Sequence, residues 1–228
     1  MAASPGVEVY LDLLSQPCRA LLILLECNQI PHTVRTVALR KGENKTPEFT
    51  KMNPMQKVPV LVDGDFVLTE SDAILKYLAT KFNVPEHWYP RQPERRARVD
   101  EYTAWHHTNT RPHAAKVFIL EVLLPAMSGS PVDEGRLNRA LSQLDETLDK
   151  LETMFLRRQP FLCGDEITVA DLLAICELMQ PLVAGRDVLQ QRPKLQHWKS
   201  RVQSAVGGAF DRAHAVLYGA RERHKAKL

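Results

Sequence analysis

Ser15-Gln16-Pro17-Cys18 stands where a strand-like run gives way to a helix-like one, and these are the first residues of the chain that could do chemistry. A Cys-x-x-Cys pair at the head of a helix is a dithiol redox site. Here the leading position is Ser15, which cannot join a disulfide. A serine at a helix start can instead donate its O–H to an anion, where backbone amides and the dipole already favour negative charge. It can also simply cap its own helix. Magnitudes make the first role feasible for a thiolate. Lowering a thiol pKa from about 8.5 to about 6.5 takes roughly 2.7 kcal/mol. A hydrogen bond to a charged group supplies about 1.5–3 kcal/mol, and a helix N-terminus about 0.3–1 kcal/mol. No general base is needed, and Ser15 donates throughout rather than attacking.

Two further segments offer complementary groups. Lys57-Val58-Pro59 precedes a predicted strand. An X-Pro bond in a tight turn can be cis, leaving Val58 free to pair with an extended peptide; an ordinary trans turn is the other reading. Thr69-Glu70-Ser71-Asp72 opens a predicted helix. Ser71 and the free amides there suit a carboxylate and Glu70 an ammonium, unless Thr69 and Asp72 form a capping box. Lys57, Lys45 and Asn44 add donors for a second carboxylate. A small thiol peptide with two carboxylates and one ammonium fits all of these groups, and that describes glutathione.

The run Trp105-His106-His107-Thr108-Asn109-Thr110-Arg111-Pro112-His113 is rich in histidine. It has no His pair at i, i+4 with a carboxylate alongside and no nearby cysteine, so no metal is expected. Arg111, on a long helix, could face the thiolate or an anionic leaving group.

These groups are positioned by two kinds of chain. Up to Phe82 short strands and helices alternate. Val7–Leu13 and Thr33–Leu39 read as strands, and Arg19–Asn28 as a helix begun at Pro17. Val60–Val62 and Phe66–Leu68 flank Asp63-Gly64-Asp65 as a hairpin, and Ser71–Phe82 is an amphipathic helix. The order β-α-β-α-β-β-α is that of a thioredoxin-like fold, over residues 1–82. Residues 83–93, with Pro85, Pro90 and Pro93, read as a stiff linker rather than a packed element. Residues 94–228 show only helical patterns, near 94–125, 133–157, 168–184, 193–204 and 207–222. Pro112 should bend or split the first. Ile167-Thr168-Val169-Ala170-Asp171-Leu172 reads as a capping box with a hydrophobic staple, a structural feature.

Composition sets the limits. The 228 residues carry a net charge of +3. Residues 212–228 hold Arg212, Arg221, Arg223, Lys225 and Lys227 against Glu222, and the rest carries 25 basic and 26 acidic residues. A neutral body argues against a nucleic-acid groove, and the basic end reads as cations at a helix C-terminus. The four cysteines, Cys18, Cys27, Cys163 and Cys176, have no ligand-like spacing and suit a reducing compartment. The N-terminus lacks the basic start of a signal peptide, and no apolar run is long enough for a membrane span. A cytoplasmic protein is expected.

The segments YLDLLSQPCRA (Tyr10–Ala20), NPMQKVPVL (Asn53–Leu61), DGDFVLTESDAIL (Asp63–Leu75), ARVDEYTAWHH (Ala97–His107), ITVADL and RPKLQHW resemble the theta class of glutathione transferases over nearly the whole chain. The resemblance implies a homodimer that conjugates glutathione, its co-substrate, to small hydrophobic electrophiles such as alkyl or arylmethyl halides and epoxides, with hydroperoxide reduction alongside. By matching position, Ser15 corresponds to the activating serine. Lys57 with Val58 and Glu70 with Ser71 match glutathione contacts, and the family's loop histidine-lysine pair falls on Asn44 and Lys45. Thr108, Asn109, Thr110 and Arg111 match its contact stretch on the long helix. Asn44 departs from the histidine, Pro112 is set to redirect the helix, and an end at Leu228 implies a more open electrophile pocket. A ligand carrier or adaptor on the same fold is the competing class. Thiol-disulfide exchange through Cys18 is a third reading, opposed by that cysteine's place inside the helix.

Overall fold

The computed structural model describes residues 6–226; Lys227 of the basic end and residues 1–5 lie outside that range. The first part of the chain forms β1 (Val7–Leu11), α1 (Gln16–Cys27), β2 (His32–Thr36), α2 (Pro47–Met52), β3 (Val60–Asp63), β4 (Phe66–Thr69) and α3 (Ser71–Lys81). The sheet order is β2-β1-β3-β4. β1 runs parallel to β2, with Val9 opposite Val34, and antiparallel to β3, with Val9 opposite Leu61. β3 and β4 close the hairpin around Gly64. This is the thioredoxin-like arrangement that the element order predicts. Alternation does the work in β1: Val7, Val9 and Leu11 are buried, while Glu8 and Tyr10 face the half-open side.

All helices follow. They are α4 (Pro93–Thr108), α5 (Thr110–Phe118), α6 (Leu124–Ser128), α7 (Glu134–Lys150), α8 (Val169–Leu178), α9 (Pro193–Val206) and α10 (Ala209–Lys225). The predicted split of the first helix occurs at Asn109, whose φ of −127° and ψ of −81° leave the helical region. Pro112 accounts for the position: it has no N–H to give the carbonyl of Thr108, and its ring would crowd that carbonyl. The first bond of the new helix runs instead from His113 N–H to Asn109 O.

Residues 83–93 correct the sequence reading. Trp88 is buried, its Nε1–H donating to Asn28 Oδ1 at 2.9 Å, and His87 Nδ1 lies 2.6 Å from Ile167 O. The segment is packed between α1 and the start of α8. The prolines indicated stiffness; the single tryptophan among them marked an anchor.

α1 explains why the two parts form one body. From Pro17 to Leu25 every residue is buried, because α1 packs on α3 within the first part and on α8 and α10 of the second. α8 is buried along its whole length. It starts with the predicted capping box: Thr168 Oγ1 accepts from Ala170 N–H, and Asp171 Oδ2 accepts from Thr168 N–H at 2.9 Å. Asp171 Oδ1 also accepts from Leu162 N–H at 2.9 Å and Trp198 Nε1–H at 2.8 Å. With the Thr168 hydroxyl, 3.2 Å from Oδ2, a carboxylate with no exposure is thus shared among four donors.

Candidate functional site

Ser15 is the residue before α1, with extended φ and ψ of −80° and 125°, and its side chain makes no capping hydrogen bond. The plain capping role is therefore not the one it plays. Its N–H donates to Asp12 O at 2.9 Å. Asp12 in turn accepts from Leu14 N–H at 2.9 Å and Leu39 N–H at 3.0 Å. The loop is braced on several sides while the hydroxyl caps no backbone amide of the helix. Cys18, one turn on, is fully buried, and burial pushes its thiol up to about 11 against the Ser15 hydroxyl beside it. That cysteine is inert at neutral pH.

A cavity of about 200 Å³ opens beside this loop, lined by Pro17, Asn53, Lys57, Val58, Pro59, Glu70, Ser71, His107 and Arg111. Four sequence-predicted residues of the glutathione set, Lys57, Val58, Glu70 and Ser71, are thus brought together with Arg111. Ser15 is not itself in the lining, though Pro17, two residues on, is. The Val58–Pro59 bond is cis. Asn53 Nδ2 donates to Lys57 O at 2.7 Å, holding the approach to Val58 in place.

At the other end of the cavity α3 begins at Ser71 with no side-chain cap. The capping box anticipated between Thr69 and Asp72 does not form, because Asp72 is drawn to Lys76 at 2.7 Å, one turn along. Glu70 has φ +67°, a conformation disfavoured for a side-chain-bearing residue, and it presents an exposed carboxylate next to the uncapped helix start. An open helix N-terminus with an acid beside it suits a ligand that carries both a carboxylate and an ammonium.

The remaining sequence-predicted residues lie outside the cavity lining. Asn44 Nδ2 donates to Gln56 O at 2.8 Å, so its amide is spent on the loop. It and exposed Lys45 lie outside the cavity lining. Thr108 and Asn109 turn back to the carbonyl of Trp105 at the helix break. Thr110 is fully buried with its hydroxyl 3.3 Å from Tyr102 Oη. Of the stretch 108–111 only Arg111 reaches the cavity, since the break at Asn109 re-aims the residues after it.

Three contributors escaped the sequence reading. His107 lies one turn before Arg111, a spacing that would have marked it. Asn53 is a buried polar residue ahead of a proline. Glu177 is a lone acid in the apolar run Leu172–Leu178. Its side chain is 2% exposed, and Oε1 accepts from Arg111 Nη1 at 2.7 Å. Burial pushes Glu177 up to about 7 against the pull of Arg111 and Arg19. No group of three or more metal-ligating side chains occurs among the described residues.

Comparison with known proteins decides the family. Residues 15–81 match the family described as "Glutathione S-transferase, N-terminal domain", and residues 116–205 match "Glutathione S-transferase, C-terminal domain". The chain is 50% identical over 222 residues to glutathione S-transferase theta-1 of Bos taurus, covering 97% of this chain and 92% of that protein. The chain belongs to the theta class of glutathione S-transferases. Human theta-1 is 49% identical over 218 residues, covering 95% of this chain and 91% of that one. Among solved structures, the apo form of human glutathione-S-transferase T1-1 superposes with a TM-score of 0.91 at 49% identity, over 95% of this chain and 91% of that one. Human theta-2 in complex with glutathione and an unknown ligand gives 0.92 at 42% identity, over 97% and 91%. In this theta-class transferase no helix is long and apolar enough to cross a membrane, among the described residues.

Proposed function

We propose that this transferase activates glutathione through the Ser15 hydroxyl, which donates to the glutathione sulfur and holds it as a thiolate. The transferase uses glutathione as co-substrate. The observation that carries the role of Ser15 is a hydroxyl that caps no backbone amide at the head of α1, beside a cavity whose far end is the uncapped head of α3. In this reading Val58 pairs with the cysteinyl backbone of glutathione, Glu70 takes the ammonium and Ser71 with the α3 amides takes the neighbouring carboxylate. Lys57 and Lys45 face the glycine carboxylate. Arg111, anchored by Glu177, leans over the sulfur or the departing anion. Thr108, Asn109, Thr110 and Asn44 act by shaping the loops around the site.

The electrophile enters from the helical part, residues 94–228, while residues 1–82 hold glutathione. The thiolate displaces halide from alkyl or arylmethyl halides, opens epoxides or attacks hydroperoxide oxygen. The chain works as a cytoplasmic homodimer. Four unpaired cysteines support the compartment. Exposed Phe66 and Val67 on the sheet edge beside α3 support a partner there. A sedimentation mass of one chain overturns the dimer.

The central experiment is a pH titration of thiolate ultraviolet absorbance in the complex with glutathione, run on wild type and Ser15→Ala. Loss of the hydroxyl's roughly 1.5–3 kcal/mol should raise the thiol pKa by about 1–2. Conjugation of para-nitrobenzyl chloride should fall about three- to twenty-five-fold at neutral pH as the thiolate fraction drops, with glutathione affinity little changed. An unchanged thiol pKa sinks the reading and favours a ligand carrier.

A further inference from the structure

Arg19 is the one charged residue in the buried run Pro17–Leu25 of α1, and it has no exposure to solvent. Its guanidinium makes no hydrogen bond to a carboxylate. Nη1 donates to Leu13 O at 2.9 Å and Leu14 O at 3.2 Å. Nη2 donates to Cys176 O at 2.9 Å and Gln180 Oε1 at 2.6 Å. Nε is buried without a partner. A buried cation held only by neutral oxygens, with one donor left over, is an expensive way to gain stability; an apolar side chain would pack this helix better. What the arrangement gives is geometry. The two carbonyls on one side are those immediately before Ser15. The two acceptors on the other side belong to the end of α8 and the turn after it, in the helical part of the chain. The end of α8 also carries Glu177, which fixes Arg111 at the cavity wall.

We propose that Arg19 is a positioning residue for the thiolate chemistry: it clamps the Leu13-Leu14 carbonyls, and through them Ser15, against the Cys176–Gln180 end of the helical part. The serine hydroxyl is aimed correctly only when the two parts of the chain are docked, so α8 addresses both walls of the site. A lysine at this position keeps the charge but lacks the planar fork that reaches four oxygens at once.

This rests on the role of Ser15 proposed above, and the test separates the two. Arg19→Lys, Gln180→Leu, Ser15→Ala and the Arg19→Lys/Ser15→Ala double variant are compared in the full-length protein. The readouts are the thiol pKa of bound glutathione and kcat and KM with para-nitrobenzyl chloride. Arg19→Lys should raise the thiol pKa by about 1 and lower kcat about tenfold, with KM for glutathione within about twofold. Gln180→Leu, which removes one of the four bonds, should move the same quantities by less and carries the test if Arg19→Lys does not fold. On the Ser15→Ala background the lysine substitution should add nothing to the thiol pKa. Wild-type thiol pKa and kcat in Arg19→Lys and Gln180→Leu, with only the melting temperature lowered, overturn the proposal. So does an undiminished Arg19→Lys effect once Ser15 is gone. A Ser15→Ala variant with a normal thiol pKa overturns the underlying reading instead.

Discussion

Asp171→Ala tests the packing logic of the helix that organises this site. The carboxylate has no exposure and accepts from Leu162 N–H, Thr168 N–H and Trp198 Nε1–H at 2.8–2.9 Å, with Thr168 Oγ1 at 3.2 Å. Alanine leaves three buried donors without acceptors, at about 1–3 kcal/mol each, and removes half of the capping box, worth about 1 kcal/mol. Partial relaxation toward water trims the sum to roughly 3–6 kcal/mol. That is a large share of a typical stability of about 5–15 kcal/mol. With a urea m-value of about 2–3 kcal/mol/M, the unfolding midpoint should fall by roughly 1–3 M. Asparagine retains one acceptor oxygen but turns an amide donor toward other donors, so it should cost about half as much. Urea titrations followed by tryptophan fluorescence report the shift directly, because Trp198 is one of the partners. A shift of under about 0.5 M for alanine would refute the claim that these donors depend on Asp171.

Two other perturbations give distinct outcomes. Glu177 is raised from its ordinary carboxylate range to about 7, so the folded chain binds an extra proton between the unfolded value near 4.5 and about 7. Stability from this group is therefore greatest below that window, falls as pH rises through it and is level above it. Glu177→Gln should flatten the slope of urea midpoints between pH 5 and pH 8; a slope that survives the substitution refutes the assignment. Cys18→Ala should leave conjugation within about twofold while costing about 1 kcal/mol of stability, since a fully buried thiol with a pKa near 11 takes no part in turnover. A folded Cys18→Ala protein with little activity would reopen thiol exchange.

What could be read from the sequence divides along physical lines. Among the described residues, period-two and period-3.6 patterns located β1, α3 and α7, which bury one face each, while β-branched runs and turn residues marked the more open strands β2 and β4. The capping box at Thr168 was readable because it is a local arrangement of four residues. Val58, Glu70 and Ser71, which line the cavity, could be singled out because each sits at a chain reversal where backbone groups are free. Asn44, Thr108, Asn109 and Thr110 lie outside the cavity lining for a shared reason. Their side chains are spent on neighbours fixed by a helix break or loop closure, and spacing along the chain does not reveal those neighbours. Glu177 and Arg19 were overlooked although each is a charge set inside an apolar run, Leu172–Leu178 and Pro17–Leu25. Trp88 was overlooked because three prolines made its segment look like a spacer.

The two-sided burial of α1 bears on how the chain can be divided. Cut after α3, the first part would display an oily helical face to solvent, and the second would lose the cover over α8 and the acceptors' cation. Neither piece would make a well-behaved fragment. Recombining this protein with relatives should therefore succeed only when α1 and α8 travel together, despite the long stretch of chain between them.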